Sequence, residues 1–348
     1  MKKIGTITFH WATNYGAVLQ SYAMQKKLRE IGYNTEIINY EPFTEKIFQL
    51  LDIIKNHKYD QIKKEKELRK FRKEQLLTSP KYYSNRSLRR CSDEYSAIIV
   101  GSDQVWNISF TLYSELKPTL SYFLNFAGNK TRKIAYAASI GANNVSEKYK
   151  NLVLPELKRF NYISMREESG LNIIKGMGIE CELVCDPVVL LDKKEYCALI
   201  EGKTFEREKV FVYILHNNQK VAVDIVDYVK SVFGMLDSGK QDSSYGMYEW
   251  LYKIKNAEYV ISNSFHGIAM ALIFNKPFIA IPVENSEMND RITTLLKSVD
   301  LLDRVINTFC KDTIDFVLSS RIDWNDVNKK MEELRNKGIV FLSRSLSE

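Results

Sequence analysis

Short apolar runs alternate with longer amphipathic stretches along this chain. That alternation predicts α/β architecture built on parallel sheets. Residues 4–9, 35–40, 97–100 and 133–138 read as strands of a first half. Between them, 16–31 reads as a helix, because Val18, Tyr22, Gln25 and Leu28 recur by threes and fours. The second half restarts the pattern, with strands expected at 162–165, 181–184, 209–215, 259–262 and 277–281. Helices are expected at 219–233, 245–256, 265–274 and 289–298, and an amphipathic helix at 324–335 closes the chain. No internal repeat and no low-complexity linker breaks the sequence.

A chain of 348 residues is too long for one ordinary core and comfortable for two α/β domains. The expected division is a Rossmann-like domain over 1–158, a second over 159–322, and a terminal helix over 323–348 that packs back on the first. Residues from about 44 to 90 form a polar, helical insertion in the first domain. With 45% hydrophobic and 27% charged residues, the composition is globular and not disordered.

Charge narrows the partners. The formal net charge of +7 suits an anionic substrate or an anionic membrane surface. It is not the dense basic stripe of a nucleic-acid binder, so no nucleic acid is expected. Residues 55–90 carry 13 Lys and Arg against 4 Asp and Glu. They read either as a solvated helical hairpin or as a basic surface in peripheral contact with anionic lipid. No secretory signal opens the chain and no run approaches the roughly 20 apolar residues that span a bilayer, which suggests a cytoplasmic protein. Five scattered cysteines fit a reducing compartment. Cys181 and Cys185 lack a second pair to complete a zinc site, and no metal is expected.

Ligands of doubly wound sheets sit beyond the carboxyl ends of the strands, so the loops that follow strands are the candidates for chemistry. The first runs from His10 to Ala17 and opens a helix; Asn14, Tyr15 and Gly16 could meet a ligand or simply pack the turn. The second is Gly101–Asn107, where Asp103 and Gln104 suit sugar hydroxyls and Trp106 suits an apolar sugar face. Its plainer reading is a capped turn with a buried tryptophan. The third places Arg166 at a strand end, able to grip phosphate or carboxylate, or to pair with Glu167 or Glu168. The fourth, Ile261–Gly267, is the sharpest. Asn263 and Ser264 cap a helix, His266 sits in its first turn, and Gly267 leaves room beside it. Imidazole exchanges protons near neutrality, so His266 suits acid–base work; a capping histidine is the plainer reading. Arg291, in the first turn of a later helix, would complete an anion pocket or lie solvated. His57 and His216 read as structural.

These segments resemble the polysaccharide pyruvyl transferase family. The resemblance rests on Asn14–Ala23, Gly101–Asn107, Ser164–Glu167 and Ser264–Gly267, with Asp186–Leu191 and Arg291–Leu296 in support. It implies a fold like the GT-B glycosyltransferases, with two Rossmann-like domains facing across a cleft. The first domain would be the acceptor side and the second the donor side. It implies transfer of the pyruvyl group of phosphoenolpyruvate to two hydroxyls of one sugar, as a cyclic ketal, without a cofactor. His266 would be the acid–base residue and Arg166 would hold the donor, helped by Asn263, Ser264, Gly267 and Arg291. Asn14, Tyr15, Gly16, Asp103, Gln104 and Trp106 would line the acceptor side. The acceptor would be a glycan or a lipid-linked oligosaccharide. Many family members have an arginine two residues before the histidine; Ser264 stands there, so the donor's charge must be met by other groups. A nucleotide-sugar glycosyltransferase and a non-catalytic glycan binder are the alternatives.

Overall fold

The computed structural model describes residues 3–42, 59–112, 115, 118–215, 220–234, 244–284 and 286–347. Residues 44–58 of the basic insertion, His57 and His216 lie outside them, as does residue 219 at the expected start of a helix.

The strands are β1 (Lys3–Ile7), β2 (Thr35–Ile37), β3 (Tyr95–Val100), β4 (Arg132–Ala138), β5 (Tyr162–Met165), β6 (Glu182–Leu183), β7 (Val210–Tyr213), β8 (Tyr259–Ser262) and β9 (Phe278–Ala280). The helices are α1 (Tyr15–Glu30), α2 (Tyr59–Gln75), α3 (Asn85–Leu88), α4 (Ile108–Thr111), α5 (Glu147–Leu157), α6 (Glu168–Gly176), α7 (Pro187–Leu190), α8 (Lys193–Leu199), α9 (Lys220–Val232), α10 (Met247–Asn256), α11 (Phe265–Ile273), α12 (Asp290–Ser298), α13 (Lys311–Ser319) and α14 (Trp324–Ser347). Among the described residues, no helix is long and apolar enough to cross a membrane.

The chain forms two compact units, Met1–Leu190 with Arg335–Glu348, and Leu191–Leu334. The first holds a parallel sheet in the order β2-β1-β3-β4-β5-β6. Its central strands are buried on both faces, as a parallel sheet flanked by helices requires. Ile98, Val100, Trp106, Phe123, Ala135 and Met165 belong to its core. The second unit holds the parallel sheet β7-β8-β9, packed with Ile225 and Val229 of α9 and Ile314 and Val317 of α13.

The division differs from the expected one at 158/159. Ile134 of β4 pairs with Tyr162, and Ser164 of β5 pairs with Glu182, so residues 159–190 extend the first sheet. Alternation marks where strands lie but not which edge they join. The second half of α14 belongs to the first unit, with Phe341 against the rings of Tyr136 and Tyr162 at 5.9 and 6.4 Å.

Within the basic insertion, α2 turns Lys64, Leu68 and Phe71 inward and leaves Lys63, Lys66, Arg69, Lys70 and Lys73 exposed. The inward face packs on α1: Phe71 meets Tyr22 edge-on at 5.8 Å. Below it, Gln25 donates to the Leu77 carbonyl at 2.7 Å and accepts from the Leu77 N–H at 2.9 Å.

Candidate active site

In the first unit the carboxyl ends of β3, β5 and β6 converge on a buried charge cluster. Arg166 leaves β5 and donates through Nη1 to Asp186 Oδ2 at 2.7 Å. Its Nη2 lies 3.7 Å from Asp103 and its Nε 3.9 Å from Glu167. Asp186 also accepts from Ser102 Oγ at 2.8 Å, and Glu167 accepts from the Ile140 N–H at 2.9 Å. Burial pulls the guanidinium pKa down, and the charges of Asp186, Asp103 and Glu167 more than offset that, leaving it raised. Three carboxylates surround one cation, so an incoming anion would meet negative charge. Arg166 therefore holds the strand ends together, and this placement does not favour the expected grip on a donor.

The loop that carries Asp103 is fixed by backbone constraint. Gly101 has φ +114, and a Cβ there would lie 2.2 Å from the Tyr136 carbonyl oxygen. Asp103 itself adopts φ 70. Gln104 accepts from Asn107 Nδ2 at 3.1 Å and fills the space beside Gly141. Trp106 is fully buried, stacks on Phe123 at 5.4 Å and donates to the Tyr122 carbonyl at 3.0 Å. It is a core residue and presents no face to a sugar, contrary to the expectation for it.

The loop after β1 leads into α1. Asn14 caps the helix by accepting from the Ala17 N–H at 3.2 Å, while Tyr15 and Gly16 are buried. His10, also buried, sits between the Thr8 carbonyl at 3.2 Å and Asn39 Oδ1 at 3.1 Å; burial lowers its pKa. Lys64 of α2 places its Nζ 4.2 Å over the Tyr15 ring. Nothing singled out Lys64 in a run of charges, although its spacing from Leu68 and Phe71 marks an inward helical face.

In the second unit, β8 ends at Ser262 and α11 starts at Phe265. Ser262 Oγ donates to the Tyr213 carbonyl at 2.6 Å and accepts from the Ser264 N–H at 3.0 Å. Ser264 is the N-cap and accepts from the Gly267 N–H at 3.4 Å. His266, 6% exposed, lies in the first turn with its ring edge-on to Phe265 at 5.1 Å. That turn holds no acidic residue, so its positive end is not neutralised from within. Gly267 does not leave the expected room: a Cβ there would lie 2.5 Å from Ser262 Oγ and 3.3 Å from Tyr213. Glycine is required so that α11 can close on β8.

Asn263 is the informative residue of this turn. Its Oδ1 accepts the Leu215 N–H at 2.7 Å, which fixes the amide orientation. Its Nδ2 is consequently a buried donor, and among the described residues no acceptor meets it. A buried unpaired donor is costly unless a ligand supplies the acceptor. Arg291, half-buried in the first turn of α12, donates through Nε to the Met288 carbonyl at 3.2 Å. Among the described residues, no cluster of His, Cys, Asp and Glu is arranged to hold a metal ion.

The polysaccharide pyruvyl transferase family model matches residues 14–285, a span that holds the Arg166 cluster and the turn into α11 but ends before Arg291. No curated protein matches the chain. Among solved structures, the UDP-N-acetylglucosamine 2-epimerase of Rickettsia bellii aligns with 99% of both chains at 8% identity and a TM-score of 0.52. The S. aureus MnaA–UDP complex aligns with 100% of this chain and 97% of its own, at 9% identity and a TM-score of 0.52. Such likeness establishes the fold: two Rossmann-like units of the GT-B type. The family match covers most of the chain, and the chain belongs to the polysaccharide pyruvyl transferase family and is a transferase.

Proposed function

We propose that this protein is a ketal pyruvyl transferase that uses phosphoenolpyruvate as donor. The acceptor would be a sugar of a cell-surface polysaccharide or of a lipid-linked precursor. Family membership supports the class of reaction, and the buried Nδ2 of Asn263 at the start of α11 carries the assignment of the donor site. That atom asks for an acceptor-only group beside a helix N-terminus, which is what a carboxylate or phosphate offers.

In this reading the donor's anionic end is held by Asn263, the first turn of α11 and Arg291. His266 handles the protons. Protonation of the terminal enol carbon gives a methyl group and an oxocarbenium-like centre at the neighbouring carbon. One sugar hydroxyl attacks that centre and gives up its proton. The carbon–oxygen bond to phosphate then breaks, and phosphate departs with the bonding pair. The second hydroxyl closes the ring and releases its proton. The sum is one ketal and one phosphate. Arg166 acts as a positioning residue through Asp186 and not as a ligand of the donor.

Thermal-shift titration tests the donor. Phosphoenolpyruvate should raise the melting temperature of the protein and leave an Asn263→Asp variant unmoved. Stabilisation by a nucleotide sugar but not by phosphoenolpyruvate would favour the glycosyltransferase alternative.

A further inference from the structure

Helix α2 carries its charge in an ordered way. Its inward face is anchored, with Phe71 against Tyr22 of α1 and Leu68 fully buried. From Ile62 onward the opposite face consists of Ile62, Lys63, Lys66, Arg69, Lys70 and Lys73, all exposed. At 3.6 residues per turn these six fall within an arc of about 120° and along about 16 Å of helix. No acid of α2 lies in that arc. Asp60, Glu67 and Glu74 follow one flank, and Glu65, on the other flank, is engaged by Thr13 and Arg72. Among the described residues, none of the five outward cations is paired with a carboxylate.

A face that is only solvated gains from mixed signs. Glu–Lys pairs three or four residues apart stabilise a helix, and like charges at those spacings destabilise it. Here the neighbours of Lys66 at those spacings are Ile62, Lys63, Arg69 and Lys70, and those of Lys73 within the helix are Arg69 and Lys70. The arrangement costs helix stability, and an anionic surface laid along it would offset that cost. Charge alone would also suit a nucleic acid, but the rest of the face does not. From Ile62 to Lys73 it offers no aromatic side chain to stack on a base, and Ile62, 52% exposed, stands on the cationic line. A straight basic stripe with an apolar side chain on it fits a flat surface whose anionic headgroups cover an apolar layer.

We infer that the outward face of α2 is a docking surface for an anionic lipid bilayer. Lys66, Arg69 and Lys73 meet the charged headgroups, Lys63 and Lys70 flank them, and Ile62 enters the boundary beneath. The inference uses neither the donor nor the acceptor assigned above.

The test is vesicle co-sedimentation of the full chain without donor or acceptor, so its failure leaves the proposed reaction untouched. Vesicles of phosphatidylcholine with one third phosphatidylglycerol should bind the protein, and pure phosphatidylcholine should not. Salt near 1 M, where the Debye length is about 3 Å, should release it. Each cation near a charged surface contributes about fivefold in affinity, so Lys66→Gln, Arg69→Gln and Lys73→Gln together should weaken binding by about a hundredfold. That triple variant should melt no lower than the parent, which separates the surface from a packing role. Arg86→Gln, Arg89→Gln and Arg90→Gln remove the same charge from exposed positions outside α2 and should leave binding within about twofold. Equal loss in the two triple variants would assign the effect to net charge and overturn the inference. So would undiminished vesicle binding by the α2 variant, or binding to duplex DNA with none to vesicles.

Discussion

Asp186 receives Arg166 at 2.7 Å with both side chains sealed from solvent. The pair joins the end of β5 to the segment after β6, and Ser102 brings the loop after β3 to the same carboxylate. The contact explains why the arginine that sequence reading assigned to the donor is built into the protein.

Removing one partner of this pair leaves an uncompensated buried charge. Arg166→Ala should cost about 3–5 kcal/mol of stability, read by denaturant unfolding. A variant that stays as stable as the parent but loses phosphoenolpyruvate binding would return Arg166 to the donor site.

Asn263 separates structure from ligand binding in a single atom. Asn263→Asp keeps the oxygen that accepts from Leu215 and replaces the Nδ2 donor with a second acceptor. Donor affinity should fall about tenfold or more with little change in stability. Asn263→Ala also loses the Leu215 bond and should unfold about 1 kcal/mol more easily. Equal donor affinity in Asn263→Asp and parent protein would remove the residue from the site.

Gly267 and Trp106 are packing residues in this structure. Gly267→Ala forces a Cβ against Ser262 Oγ and should cost about 1–3 kcal/mol. Trp106→Ala empties a core position and should cost about 3–5 kcal/mol. Melting temperatures check both. Loss of acceptor affinity in Trp106→Phe at unchanged stability would contradict the core assignment.

Lys64 makes stability depend on pH. Its folded-state pKa of about 8 lies below the ordinary lysine value of 10.5, so the unfolded chain binds more protons between those limits. The stability of the parent relative to Lys64→Met should therefore rise as pH rises from about 8 to 10.5. Burial of the amine is the cause of the lowered value. A flat difference over that window would mean that the amine is not desolvated.

Much of the fold was legible. Apolar runs such as Ile98–Val100 and Val260–Ile261 marked strands, because parallel sheets bury both faces. Asn263 and Ser264 marked the turn into α11. The unit boundary was not legible, since Tyr162 pairs with Ile134 through geometry that no local pattern encodes. Helix α5 escaped notice because Pro155 and several charges interrupt its apolar spacing. Trp106 was misplaced because a large side chain at a strand end reads as a ligand contact until its partner, Phe123, is known, and the pairing of Arg166 with Asp186 was equally invisible to a local pattern. The candidate site at α11 was legible in its residue types, while the oriented amide of Asn263 required the Leu215 contact.

The most direct test follows phosphate release from phosphoenolpyruvate, with and without a lipid-linked oligosaccharide acceptor, in the parent and in His266→Ala. Acceptor-dependent release, abolished in the folded His266→Ala variant, is the expected result. Full release by that variant, or no release from phosphoenolpyruvate with any acceptor while a nucleotide sugar is consumed, would contradict it.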